Sequence, residues 1–261
     1  MDAKKHLEEL DILGYTLIKK ALLPEEVNEL KNELERIWDI QEKETEGIFN
    51  IKEIAENNIV RAPLAYSNSF IKAYNNSKTI PLIREILGDY FILSQENGVI
   101  VHPNLTHSQN KWHRDLSHMN FVSDPPLAIN AFFCLTNFNV ETGATQLLPF
   151  SHKINYEPSS DYISKHSISI EAEAGDVFLF NSMLFHRTGI NTSQGKRMGL
   201  NHIYTKYILK QQIDIPALLE FKSPEDPFLN MLLGFDSRVP TSVLDYRKIR
   251  KVSSDKKKNK Y

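Results

Sequence analysis

Up to about Gly88 the apolar positions recur at three- and four-residue steps; beyond it they alternate. Val27, Leu30, Leu34, Ile37 and Trp38, with Glu and Lys between them, predict an amphipathic helix that starts at Pro24, where a missing N–H costs nothing. Its apolar stripe reads as a buttress against the core. A short helix is predicted over residues 3–10, a strand over 14–19 after a glycine break, and a second helical stretch over 81–87 closed by Gly88. Residues 90–101, 127–136, 144–148, 167–172, 177–180 and 197–208 are rich in β-branched and aromatic residues and are separated by turn-forming clusters. Several short strands at fairly regular spacing predict a mainly β architecture, a sandwich or barrel with helices outside it. The polar stretch 42–58 reads equally as a lid over a pocket or as ordinary connection. Apolar positions from Ile215 to Leu233 predict a segment that wraps the core.

Length and composition narrow the class. The 261 residues, 41% hydrophobic and 25% charged, suit a single globular domain over residues 1–250, with a basic, solvated and disordered tail over 251–261. Lys plus Arg number 31 against 33 Asp plus Glu, so bulk charge offers no attraction for nucleic acid or an anionic membrane. Cys134 is the only cysteine and excludes both an intramolecular disulfide and a multi-cysteine zinc cluster. With no bilayer-length apolar run and no signal-like start, the expectation is a soluble, cytoplasmic protein whose partner is a small molecule, not nucleic acid or membrane.

The candidate chemistry lies in the β part. In an extended segment, residues two apart share a face, so His113 and Asp115 can point into one space. With His186 they would make two imidazoles and one carboxylate on one side of a metal, the arrangement of non-haem Fe(II) oxygenases. Arg197 follows a loop, 189–195, of hairpin composition, which predicts His186 and Arg197 on adjacent antiparallel strands. A guanidinium holds a carboxylate bidentately and suits the far end of a dicarboxylate co-substrate; Thr188 could add a hydroxyl. There is no G-x-S-x-G elbow, H-E-x-x-H pair or phosphate-cradling glycine loop.

The order and spacing of His113-Arg-Asp115, of the segment from Thr142 to Lys153, of Gly175 to Asn181, of His186 to Asn191 and of Arg197 resemble the phytanoyl-CoA dioxygenase family of Fe(II)/2-oxoglutarate oxygenases. The resemblance covers roughly residues 14–208. It implies a double-stranded β-helix, a cupin-like jelly-roll barrel with flanking α-helices, and a dioxygenase that hydroxylates an unactivated carbon of a small molecule, using O2 and releasing succinate and CO2. The alternatives are a non-catalytic jelly-roll metal- or ligand-binding protein and a relative that steers the same oxidation to cyclisation or desaturation. It implies iron on His113, Asp115 and His186, with 2-oxoglutarate on Arg197. Asp115 stands where halogenating relatives lack a carboxylate, which favours hydroxylation or a related oxidation. Phe150 departs from the glycine that the family often has before Ser-His.

Four further positions carry two readings each. His102 stands where several relatives have a co-substrate lysine, and reads as a 2-oxoglutarate contact or a strand-end histidine. Strand alternation would aim Glu96, Gly98, Ile100 and His102 at one face, and Glu96 reads as a substrate contact or a solvated charge. Asn130, polar in an apolar run, reads as pocket-facing or as a buried hydrogen bond to backbone. Trp112 reads as a pocket wall or core packing. His107 and His118 fall outside the expected metal set.

Overall fold

The computed structural model describes residues 2–105 and 108–258. Helix α1, Ala3–Leu13, is capped by Asp2, whose side chain accepts from the Lys5 amide, and ends at Gly14 in a left-handed conformation with φ 87°. That turn leads straight into strand β1, Tyr15–Ile18. Helix α2, Pro24–Glu44, begins on the expected proline, and the Glu26 carboxylate reaches back to accept from the Leu23 amide at 2.8 Å. Leu30, Leu34 and Ile37 on its apolar stripe are fully buried.

Strand β2, Ile59–Arg61, arises just beyond the stretch that reads as polar connection. Two short helices follow, α3 (Ile71–Tyr74) and α4 (Ile80–Leu87). The β part then contributes β3 (Phe91–Val101), β4 (Ala128–Cys134), β5 (Thr145–Leu147), helix α5 (Ser160–His166), β6 (Ile168–Ser169), β7 (Val177–Asn181), β8 (His186–Thr188) and β9 (Arg197–Lys206). Helices α6 (Ile215–Leu218), α7 (Pro227–Leu232) and α8 (Val243–Lys258) close the chain, so the backbone stays helical well into the basic segment expected to fray. No helix among the described residues is long and apolar enough to cross a membrane.

The strands form two antiparallel sheets, β1-β7-β4-β9-β3-β2 and β6-β5-β8. They enclose one apolar cluster that includes Phe132, Phe138, Leu147, Phe178 and Phe180; the Phe132 and Phe178 rings stack with centroids 5.1 Å apart. A second and larger cluster fills the space between the outer face of the six-stranded sheet and the helices. Each fully buried Phe or Leu contributes about 1.5–3 kcal/mol. The result is a mainly β barrel with helices outside, as the strand pattern predicts, and is the double-stranded β-helix that the resemblance implies.

Two details position the site. The register of β3 against β9 shifts between Leu93 and Gln95, and this irregularity flips the phase of β3. Phe91 and Leu93 pack toward the helices, whereas Val99 and Val101 face the barrel. Phe150 adopts φ 66°, the left-handed conformation for which glycine carries no steric penalty, so its departure from the family pattern leaves the turn's geometry intact.

Candidate metal centre and its cavity

Residues 113–115 lie beside 182–186 as a short antiparallel pair. His113 and His186 exchange both backbone hydrogen bonds at 3.0 Å, and the Asp115 amide donates to the Ser182 carbonyl at 3.1 Å. The segment is therefore extended, and His113 and Asp115 share a face. His113 Nδ1 is 2.8 Å from the Lys111 carbonyl and His186 Nδ1 is 2.9 Å from that of Leu184. A carbonyl can only accept, so each Nδ1 carries the proton and each Nε2 presents a lone pair. Asp115 Oδ1 is 3.9 Å from His113 Nε2, and Oδ2 is 3.7 Å from His186 Nε2.

These contacts are too long for hydrogen bonds. One ligand atom from each residue lies within 4.8 Å of the others, and His113 Nε2 is buried with no hydrogen-bond partner among the described residues. Two neutral imidazoles and a carboxylate around one small space fit a divalent transition metal. Burial holds the His186 pKa below its usual value, with His113 acting in the same direction and Asp115 against it, so the ring stays neutral and able to ligate.

Behind the carboxylate stands Asn130 on β4. Its Nδ2 donates to Asp115 Oδ2 at 2.6 Å and to Asn201 Oδ1 at 2.9 Å, while its Oδ1 accepts from the Ser182 hydroxyl at 2.6 Å. A full set of partners fixes which way the amide points. Asn130 thus supports a carboxylate; it does not face the cavity, and its hydrogen bonds run to side chains, where the sequence suggests backbone.

Arg197 opens β9 and is 1% exposed. Its Nη1 donates to Thr145 Oγ1 at 3.3 Å, its guanidinium carbon lies 4.6 Å from the Phe138 ring centre, and Nε and Nη2 have no partner among the described residues. Burial lowers its pKa to about 10, which leaves it charged at neutral pH. The expected hairpin between His186 and Arg197 is not formed. β8 pairs with β5 in the small sheet and β9 lies between β4 and β3 in the large one, so Arg197 meets the small sheet across the barrel, through Thr145. Thr145 pairs with Thr188, and both line the cavity. Sequence reasoning passes over Thr145, although its alternation with inward-facing Leu147 carries the signal.

The cavity has a volume of about 410 Å³ and is lined by His113, Asp115 and His186 together with polar side chains of β2, β3 and β9. Three expected residues lie away from it. Glu96 is 2% exposed on the helix side of β3, where it accepts from the Leu64 amide at 3.0 Å and sits 3.5 Å from His202; it is neither a substrate contact nor a solvated charge. Alternation aims its neighbours Gln95 and Asn97 into the cavity instead. His102 lies just past β3, beside the Lys196–Glu35 ion pair, with its pKa lowered by burial and then by Lys196. Trp112 packs on Leu148, Ile163 and Phe185 and carries Arg187 at 4.9 Å from its ring centre, outside the barrel. His118 is exposed and His107 lies outside the described residues.

The family model described as Phytanoyl-CoA dioxygenase (PhyH) matches residues 11–199. An uncharacterized protein of Mycobacterium tuberculosis is 29% identical over 246 residues, 91% of this chain and 88% of its own length. The dioxygenase olcK of Penicillium canescens is 33% identical over 153 residues, 55% of this chain and 49% of its own. Among solved structures, the epimerase SnoN in complex with Fe3+, alpha ketoglutarate and nogalamycin RO is 17% identical with a TM-score of 0.62, covering 86% of this chain and 92% of that one. HygX from Streptomyces hygroscopicus, with nickel and 2-oxoglutarate bound, is 18% identical with a TM-score of 0.61, covering 82% and 90%. At such identities these structures support the fold.

Proposed function

Because the chain belongs to the phytanoyl-CoA dioxygenase family, whose model spans residues 11–199, we propose that it is an Fe(II)- and 2-oxoglutarate-dependent dioxygenase acting on a small molecule. His113, Asp115 and His186 would hold the iron, and Arg197 with Thr145 and Thr188 would hold the far carboxylate of 2-oxoglutarate. The observation that carries this reading is the convergence of two Nε2 lone pairs and one carboxylate on a space where His113 Nε2 has no partner among the described residues. The bound iron and co-substrate would supply the oxidation: a substrate C–H, O2 and 2-oxoglutarate become C–OH, succinate and CO2.

The protein's own part is orientation. The Lys111 and Leu184 carbonyls fix both imidazole tautomers, and Asn130 fixes the Asp115 carboxylate. The unpaired Nε and Nη2 of Arg197 fit a carboxylate that enters beside Thr145 and takes both N–H groups at once. The barrel's aromatic lining keeps water from that charge.

The test is succinate release from 2-oxoglutarate by the full chain with Fe(II), beside His186→Ala. Iron-dependent succinate from the parent and none from the variant is the expected result. If the parent binds neither Fe(II) nor 2-oxoglutarate, the reading fails. Product mass then separates hydroxylation, which adds one oxygen, from desaturation or ring closure, which removes two hydrogens.

A further inference from the structure

One row of strand register crosses the cavity wall beside the metal centre. Arg61 on β2 pairs with Asn97 on β3, Asn97 pairs with Asn201 on β9, and Asn201 pairs with Phe132 on β4. Paired positions share a face, and all four residues line the cavity, with Gln95 and Gln212 beside them. The row is amide-rich and carries no unmatched charge, because Arg61 is held by Glu56 through both Nε and Nη2 and donates from Nη1 to Gln212 at 3.1 Å.

Asn97 is 4% exposed, and its Oδ1 has no hydrogen-bond partner among the described residues. Buried amide oxygens are nearly always satisfied, so this one points to a donor that arrives with a ligand. Asn201 accepts from Asn130 through Oδ1, which leaves its NH2 group to donate. The Asn97–Asn201 pair stands four residues along β9 from Arg197, about 13 Å at the rise of a strand. The row is therefore separate from the place where Arg197 would hold a carboxylate.

We propose that this amide row is the organic-substrate subsite and that it takes a neutral, hydroxyl-rich small molecule, one hydroxyl donating to Asn97 Oδ1 and accepting from the Asn201 amide. The proposal rests on the iron and 2-oxoglutarate reading only for the reaction; the binding stands on the wall itself. An acyl chain packed here would seal the Asn97 oxygen away without a partner. An anionic group seated on the row itself would find Arg61 already matched by Glu56, the cavity's other cations, Lys111, Arg114 and Arg187, lying outside the row.

The experiment titrates the full chain by calorimetry with methyl α-D-glucopyranoside, octanoate and glucose 6-phosphate, and separately titrates 2-oxoglutarate in the presence of Fe(II). The neutral glycoside is expected to bind at least about tenfold more tightly than the other two. Asn97→Ala should weaken the glycoside about tenfold while shifting 2-oxoglutarate affinity less than about twofold, and Asn97→Gln should recover part of the loss. A preference for octanoate or the phosphate ester, no binding by any probe, or an Asn97→Ala loss confined to 2-oxoglutarate overturns the proposal. Failure of 2-oxoglutarate to bind the parent overturns the iron reading instead. The parent's preference among the probes decides the question even if the alanine variant does not fold.

Discussion

Asn130 Nδ2 holds Asp115 Oδ2 at 2.6 Å, and Asn130 is itself locked between the Ser182 hydroxyl and Asn201 Oδ1. The hydrogen bond takes one lone pair of the carboxylate and leaves the other oxygen for the shared space with His113 and His186. A residue that never faces the cavity therefore sets the direction of a ligand that does. Asn130→Ala is expected to weaken Fe(II) binding about 10- to 100-fold, the usual consequence of removing such a support. Metal titration checks this, and an unchanged affinity in a folded variant would show that Asp115 needs no such hold.

Arg197 illustrates a conflict between stability and use. A buried guanidinium with two unpaired N–H groups is costly in the free protein, and replacement of a buried charge by an apolar residue of similar volume is often neutral or stabilising. Arg197→Met should therefore leave the thermal midpoint unchanged or raised. The same change removes two charge-assisted hydrogen bonds at about 1.5 kcal/mol or more each, so the Kd for 2-oxoglutarate should rise by about 100-fold or more. Thermal unfolding and calorimetric titration of one variant read both effects, and a large loss of stability would contradict the account.

Much of this arrangement is legible in the order of residues, because the elements are set by local patterns. The stripe from Val27 to Trp38 and the proline at its head give α2, and the H-x-D spacing gives a shared face once the segment is extended. What escapes is set by events between strands. The shift in β3 near Ser94 changes which alternate residues face inward, so Glu96 lands among the helices and Asn97 in the cavity. The loop after β8 has hairpin composition, yet β9 is claimed by β4 and β3, whose long apolar runs provide more ladder pairs than three-residue β8 can. Strand β2 is hidden because it is a three-residue edge strand paired only with β3 and carries no periodicity of its own.

Gly98 is required by the docking of α2. A Cβ at this position would lie 2.1 Å from Leu34 Cδ1, so the side chain of Leu34, which is fully buried, would have to shift within the core. Gly98→Ala is expected to cost about 1–3 kcal/mol through overpacking. Denaturant unfolding measures this directly. Because Leu34→Ala opens the space the new methyl needs, the double variant should recover part of the loss relative to the sum of the single changes. Strict additivity would place the strain elsewhere.

His152 gives the fold a dependence on pH that is independent of the metal centre. It packs against Gly14 at the end of α1, with Nε2 3.1 Å from the Asp11 carbonyl, and burial lowers its pKa below 6.5 despite the opposing hydrogen bond that the ring donates to that carbonyl. A lowered histidine pKa means that the unfolded chain binds the proton more readily than the folded one. The neutral ring's contribution is therefore complete above about pH 6.5 and is lost as pH falls from there toward the folded-state pKa. His186 and His102, lowered by the same cause, act in the same direction. His152→Gln is expected to reduce stability near pH 8 by loss of packing yet to flatten its decline between about pH 6.5 and pH 5, since one proton-binding difference has been removed. Unfolding free energies of parent and variant at several pH values give the two slopes. Parallel slopes would assign the acid sensitivity to the other histidines and leave His152 with packing alone.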